Sequence, residues 1–334
     1  MFFAWRLAAL LAFGLCTALV GRLDAQPADG PNAPNRHRRE QLQQWIEQLD
    51  TDSYEARETA TRQLIAAGEE AQPLAETAIG HKSPEVRFRA AAILQALQQK
   101  PLRELEQEVI GFASQKEEQL DVERGMCLVS RILDPHVREP ELVKKLDELA
   151  EKVRRRLGKE IDPAQADPQK AVAALKHVLF EDCGFRGNQD DYNNPNNCSL
   201  GFVLATGKGK PVLLGQLLVA VARRLKIPLV GVPVTGQYLV KYDGSRAPAG
   251  YSRDDIYLHP FQNGKILSRA DRAREYPDYD PDRMVPAATN RETLSRILRN
   301  IVEDLDERDD AVAPHKRRLT ETMLELLSSQ IVSP

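Results

Sequence analysis

Three features of the sequence predict an α+β fold rich in helix. Stretches from Arg38 to about Ala113, from Glu118 to Leu133 and from Glu139 to Leu157 space their apolar residues three and four apart, as the buried stripe of a helix requires. A polar loop from Gly184 to Leu200, dense in Gly, Asn and Asp, leads into an apolar helix from Val212 to Leu225. Four short runs of β-branched and aromatic residues then follow, at Leu229 to Val234, Tyr238 to Tyr242, Ile256 to Leu258 and Lys265 to Leu267, and predict a small antiparallel meander. The predicted organisation is a signal peptide over 1–25, a disordered linker over 26–37, a helical-repeat head over 38–114, an α+β core over 115–286 and a C-terminal helix pair over 287–334.

At the N-terminus, Met1 to Arg6 carries one positive charge, Leu7 to Val20 is apolar and uncharged, and Ala25 offers a small residue before Gln26. This is the pattern of a secretory signal, so export to the periplasm or the medium is expected. The alternative is an uncleaved membrane anchor over residues 7–21, whose length is close to the roughly 17 residues needed to span. Gln26 to Arg36 holds Pro27, Gly30, Pro31 and Pro34 among small polar residues and reads as a tether. The formal charge of the chain is -3, and removing Arg6, Arg22 and Asp24 takes away +1 to leave about -4. Such a balance is no footprint for nucleic acid.

The head repeats. Ser53, Glu55, Arg57, Ala60 and Leu64 recur thirty positions later as Ser83, Glu85, Arg87, Ala90 and Leu94. Each Ser is placed to cap a helix, each Glu lies in the first turn, and each Ala and Leu share an inner face. Two such helix pairs resemble HEAT-type repeats, with an offset shorter than the roughly 40 residues usual for them. Units of this kind rely on neighbours to cover their apolar stripe, so the head serves either as a surface for partners or as a cap on the core. Arg154-Arg155-Arg156 ends a helix, where cations complement the dipole.

Asn188, Asp190, Asp191, Asn193 and Asn194 gather side-chain oxygens in the polar loop. They lack the spacing and closing Glu of an EF-hand, so the expected role is to satisfy turn backbone, and neither metal nor cofactor is called for. Cys127 and Cys183 lie on apolar stripes. Cys198, in the loop, is either a reactive thiol, a buried thiol or a partner for Cys183 in a disulfide.

An ordered set of pieces carries a family resemblance: Gly184 to Asn188, Tyr192, Asn194-Pro195, Asn197 to Leu200, Val203-Leu204, Gly209 to Pro211, Ala222 to Leu225 and Gly231-Val232, flanked by Gly125 to Leu128, Leu146 to Ala150, Pro260-Phe261, Gly264, Leu267-Ser268 and Arg296 to Ile301. Over about Glu118 to Leu305 the chain resembles the transglutaminase-like superfamily, in its bacterial SirB-type branch. The resemblance implies a papain-like cysteine fold in which a thiol opens the central helix, a His on a following strand is its base and an Asp on the next strand orients the His. Laid on this chain, those positions fall on Pro211, Gln237 and His259. Proline has no nucleophile and glutamine takes no proton near neutral pH, so the inherited chemistry is not expected.

The sequence therefore points to an exported, non-catalytic module that binds a protein or peptide. Its expected groove is bordered by Asn188, Tyr192, Asn194, Asn197, Lys210, Gln237 and His259. Two other readings stand beside it: a cysteine-dependent hydrolase or acyltransferase using Cys198, and an envelope scaffold without ligand.

Overall fold

The computed structural model describes residues 33–278, 286–307 and 314–329. The predicted signal or anchor, residues 26–32 of the predicted linker and most of the stretch between Tyr276 and Pro286 lie outside them. The described chain forms two compact units that divide between Gln99 and Lys100.

The first unit holds helices α1 (Ala33–Gln48), α2 (Tyr54–Ala67), α3 (Gln72–Ala78) and the opening turns of α4 (Pro84–Ala113). Residues 33–37, expected in the linker, are the first turns of α1, because Pro34 falls near a helix start, where a missing N–H costs nothing. The thirty-residue repeat recurs in three dimensions. Arg57 Nη1 donates to the carbonyls of Thr51 and Asp52, and Arg87 Nη1 donates to those of His81 and Lys82. Ser53 caps α2, and Ala60, Leu64 and Ala90 are buried in the unit's core. In the second copy Ile93 takes the buried place expected of Leu94, which is half-buried. Arg57–Glu85 and Arg89–Glu58 pairs bind the two copies to each other.

The second unit starts with the rest of α4 and continues through α5 (Val122–Leu133), α6 (Glu139–Leu157) and α7 (Pro168–Lys176). After α7 the chain widens into a six-residue π-helix, His177–Asp182. Strand β1 (Arg186–Gly187), α8 (Leu200–Thr206), β2 (Lys208–Gly209) and the central helix α9 (Pro211–Arg224) come next. The sheet is a meander of β3 (Leu229–Val234), β4 (Gln237–Tyr242), β5 (Ile256–His259) and β6 (Lys265–Leu267), paired antiparallel in that order as the sequence predicts. Helices α10 (Arg269–Glu275), α11 (Asn290–Glu307) and α12 (Pro314–Ser329) complete the unit.

Residues Pro211 to Leu218 of α9 are all buried. One face of the sheet, with Tyr238, Val240, Tyr242 and Leu258, belongs to the same core as α9 and the apolar stripe Leu294, Ile297, Leu298 and Ile301 of α11. The opposite face, with Val232, Val234, Leu239, Tyr257 and Leu267, forms a separate cluster with Tyr276. Tyr238 fixes the fit to α9: a Cβ at Gly231 would stand 2.1 Å from its hydroxyl, and one at Gly215 would stand 2.8 Å from its ring. At the far end of α9, Arg224 makes a two-pronged bond to Glu123, at 2.7 Å on each prong, and Arg223 adds a third at 2.8 Å. Bidentate geometry of this kind holds two helices in register.

Candidate functional site

The polar loop is stitched to the start of α9 by its own amide side chains. Asn188 Nδ2 donates to Asn197 Oδ1 at 2.8 Å, and Asn197 Nδ2 donates to the carbonyls of Asp191 and Tyr192. Asn194 Oδ1 accepts from the Asn196 N–H, forming the expected Asx turn. A two-residue parallel ladder sets Gly187 beside Gly209, and a Cβ at Gly187 would stand 2.5 Å from Phe261. The Lys210 N–H then donates to the Asn197 carbonyl, which delivers the chain into α9.

Lys210, just before the first residue of α9, turns its ammonium inward. Its Nζ lies 2.5 Å from Asp304 Oδ1 on α11 and 4.7 Å from the centre of the Tyr192 ring. Both charged side chains are 3% exposed. Burial pushes the Asp304 carboxyl above its ordinary range, opposed by the hydrogen bond and charge of Lys210. Cys198 is completely buried nearby, and burial pushes its thiol up to about 12 although the Lys210 charge acts the other way. A thiol in that state is not a nucleophile. Cys127, Cys183 and Cys198 are all free, so the bridge considered between Cys183 and Cys198 is not formed, and Cys183 has Lys152 Nζ at 3.6 Å.

The three positions expected to correspond to the family's triad do not converge. Pro211 opens α9, buried, as its first residue. Gln237 pairs with Val234 across the strands, and His259 lies two residues beyond Tyr257, so both fall on the sheet face turned away from α9. His259 is 2% exposed beside the Tyr276 ring, and burial lowers its pKa, keeping the imidazole neutral near pH 7. Among the residues of β4 that do face α9 is Tyr238, whose hydroxyl accepts from Gln216 Nε2 at 2.7 Å and shares a hydrogen bond with Thr293. The expected groove beside Lys210, Pro211, Gln237 and His259 is thus closed, for two reasons. Lys210, Pro211 and His259 are buried with Asn188 and Asn197, and strand alternation parts Gln237 and His259 from the helix start. Tyr192 is exposed, and Asn194 and Gln237 are half-buried.

An open cleft of about 1010 Å³ lies elsewhere in this unit. Its walls come from the end of α6, the α7 and π-helical segment, the loop at Tyr251 and the β5–β6 turn, and none of the expected groove residues lines it. Sequence reasoning missed this cleft and the Asp304 partner of Lys210. Asp304 did leave a signal, as a carboxylate three positions beyond Ile301 on the apolar stripe of α11.

With this geometry in view, residues 140–299 match the family profile of the transglutaminase-like superfamily, so the helix-rich second unit carries a transglutaminase-like domain. The chain is similar to a UPF0162 protein of Xylella fastidiosa (strain Temecula1), 36% identical over 159 residues that make up 43% of this chain and 52% of that protein. A UPF0162 protein of Vibrio cholerae is 31% identical over 105 residues, covering 31% of this chain and 36% of that protein. The F-box only protein 21 of Mus musculus is 32% identical over 100 residues, 30% of this chain and 16% of its own length. The matched region spans about half the length, 52%, of the Xylella relative. No solved structure matches the chain.

Proposed function

We propose that the protein is a non-catalytic transglutaminase-like module that binds a partner protein or peptide, and that it works outside the cytoplasm. The observation that carries the non-catalytic part is the start of α9. Where the superfamily would present a thiol, this chain has Pro211, and the neighbouring Lys210 is consumed by Asp304. The nearby Cys198 thiol is buried and held protonated. Without an ionisable nucleophile and a base within hydrogen-bond reach, acyl transfer has no first step. Export is supported by the uncharged run Leu7 to Val20 and by Ala25.

Three measurements test this. Incubation with glutamine-donor and amine-acceptor substrates is expected to give no turnover. A thiol-directed probe is expected to leave Cys198 unlabelled in the folded protein. Turnover that disappears in Cys198→Ala would overturn the reading. Mass spectrometry of the native protein is expected to find Gln26 or a near neighbour as the first residue, whereas an intact Met1 terminus in the membrane fraction would replace export with anchoring.

A further inference from the structure

We propose that the cleft between α7 and β6 binds an extended segment of a partner protein that carries carboxylates among aliphatic side chains. The proposal rests on the binding reading above and names the class of partner.

The first observation is convergence of exposed apolar groups. Ile161, Tyr251 and Ile266 are 42%, 42% and 41% exposed, and all three line this one cleft. A single exposed apolar residue is ordinary. These three come from separate segments, the loop after α6, the loop before β5 and strand β6, so no local requirement of one element places them together. Convergence of this kind on a concave surface marks a place where a partner removes apolar area from water.

The second observation is the charge left over. Lys176 and His177 are paired with Glu181, His177 also with Asp182, and Lys265 with Glu275. Asp167 is spent as the cap of α7, where it accepts from the Gln169 and Lys170 N–H groups. Arg156 and Lys170 are exposed and make no ion pair among the described residues. The lining therefore presents two unspent cations beside an apolar floor, which complements a segment with carboxylates and aliphatic side chains and disfavours a basic one.

The third observation concerns shape. Strand β6 ends the sheet, so one side of its backbone is unpaired within the sheet, and Lys265 and Ile266 of β6 line the cleft. Edge strands of this kind accept extended segments. The opposite wall contains the π-helical turn, a distortion that recurs at functional sites.

The experiment uses the full mature chain and a fixed set of fluorescein-labelled twelve-residue peptides that alternate Glu or Asp with Val, Leu or Ile, together with the same set carrying Lys in place of every acid. Fluorescence anisotropy is expected to show the acidic set binding and the basic set at least tenfold weaker. In the double variant Arg156→Glu and Lys170→Glu that preference is expected to invert, with the basic set now the tighter. Ile266→Ser is expected to weaken the acidic set without altering its preference over the basic one. Melting curves of each variant confirm that the fold is intact, since the substituted side chains are exposed. Failure of every acidic peptide to bind overturns the proposal, as does binding that ignores the charge swap. Either result leaves the non-catalytic reading standing, because that rests on the turnover test. Conversely, Cys198-dependent turnover with peptide binding intact removes the non-catalytic reading and leaves the cleft.

Discussion

The start of α9 and the α7–β6 cleft treat polar groups in opposite ways. At the start of α9 the charges are paired off inside the protein: Lys210 on Asp304, with Tyr192 beneath the ammonium and Cys198 sealed nearby. At the cleft some charges are paired and others are left facing water, next to apolar side chains that the fold does not cover. A charge withdrawn from water must be compensated where it sits, so the first arrangement contributes to holding the unit together and has little left for a ligand. The second contributes little to stability and keeps its binding capacity. Within one domain, the polar groups at the start of α9 are structural, and exposed charges and apolar side chains lie together elsewhere.

Stability measurements separate the two regions. The largest effect is expected for Asp304→Ala, which strands the buried Lys210 ammonium and should cost about 3–5 kcal/mol in denaturant unfolding. Replacing both partners, Lys210→Met with Asp304→Leu, should recover most of it, because no uncompensated charge remains. A loss below about 1 kcal/mol for Asp304→Ala would mean that the pair is open to water after all.

Next comes Gly231→Ala, where the added methyl meets the Tyr238 hydroxyl at 2.1 Å. Overpacking of that kind costs about 1–3 kcal/mol, measured as a fall in Tm with the sheet intact by circular dichroism.

A smaller effect separates the two faces of the sheet. Burial lowers the pKa of His259 below the ordinary imidazole value of 6.5, so the unfolded chain takes up a proton below that pH while the folded one resists it. The folded-state value is depressed, so its contribution is fully present above pH 6.5 and is lost as pH falls toward the folded-state value. The slope contributed is at most about 1.4 kcal/mol per pH unit. Comparing wild type with His259→Gln between neutral and mildly acid pH isolates it, and equal slopes in the two would show that His259 is solvated.

The smallest effect is expected at the cleft. Ile266→Ser and Lys170→Glu should each change stability by less than about 0.5 kcal/mol, as substitutions at exposed positions do. A larger loss would make these residues part of the core and would erase the contrast.

Much of the fold was legible because its signals are local. The bounds of β3 and β6 match the runs read from β-branched residues and turn chemistry, and the Asn side chains of the loop make the turn bonds their chemistry suggests. The π-helix after α7 was not legible, since its residues keep a helical pattern and only the wider turn differs. The groove was misplaced for a related reason. Matching Gln237 and His259 to family positions says which residue stands at a point along a strand, but the pleat decides which face it takes. Here the pairing of Val234 with Gln237 and of Lys265 with His259 sends both to the face away from α9.

The helical pattern of the head, the meander and the turn-forming loop could be read from the sequence, because each depends on neighbouring residues. Only the tertiary structure decided that Lys210 meets Asp304 across 94 positions, that the Cys198 thiol is sealed from solvent, and that Ile161, Tyr251 and Ile266 share one cleft. Burial and charge compensation are properties of groups brought together by packing, and residues far apart in the chain acquire them only once the cores have closed.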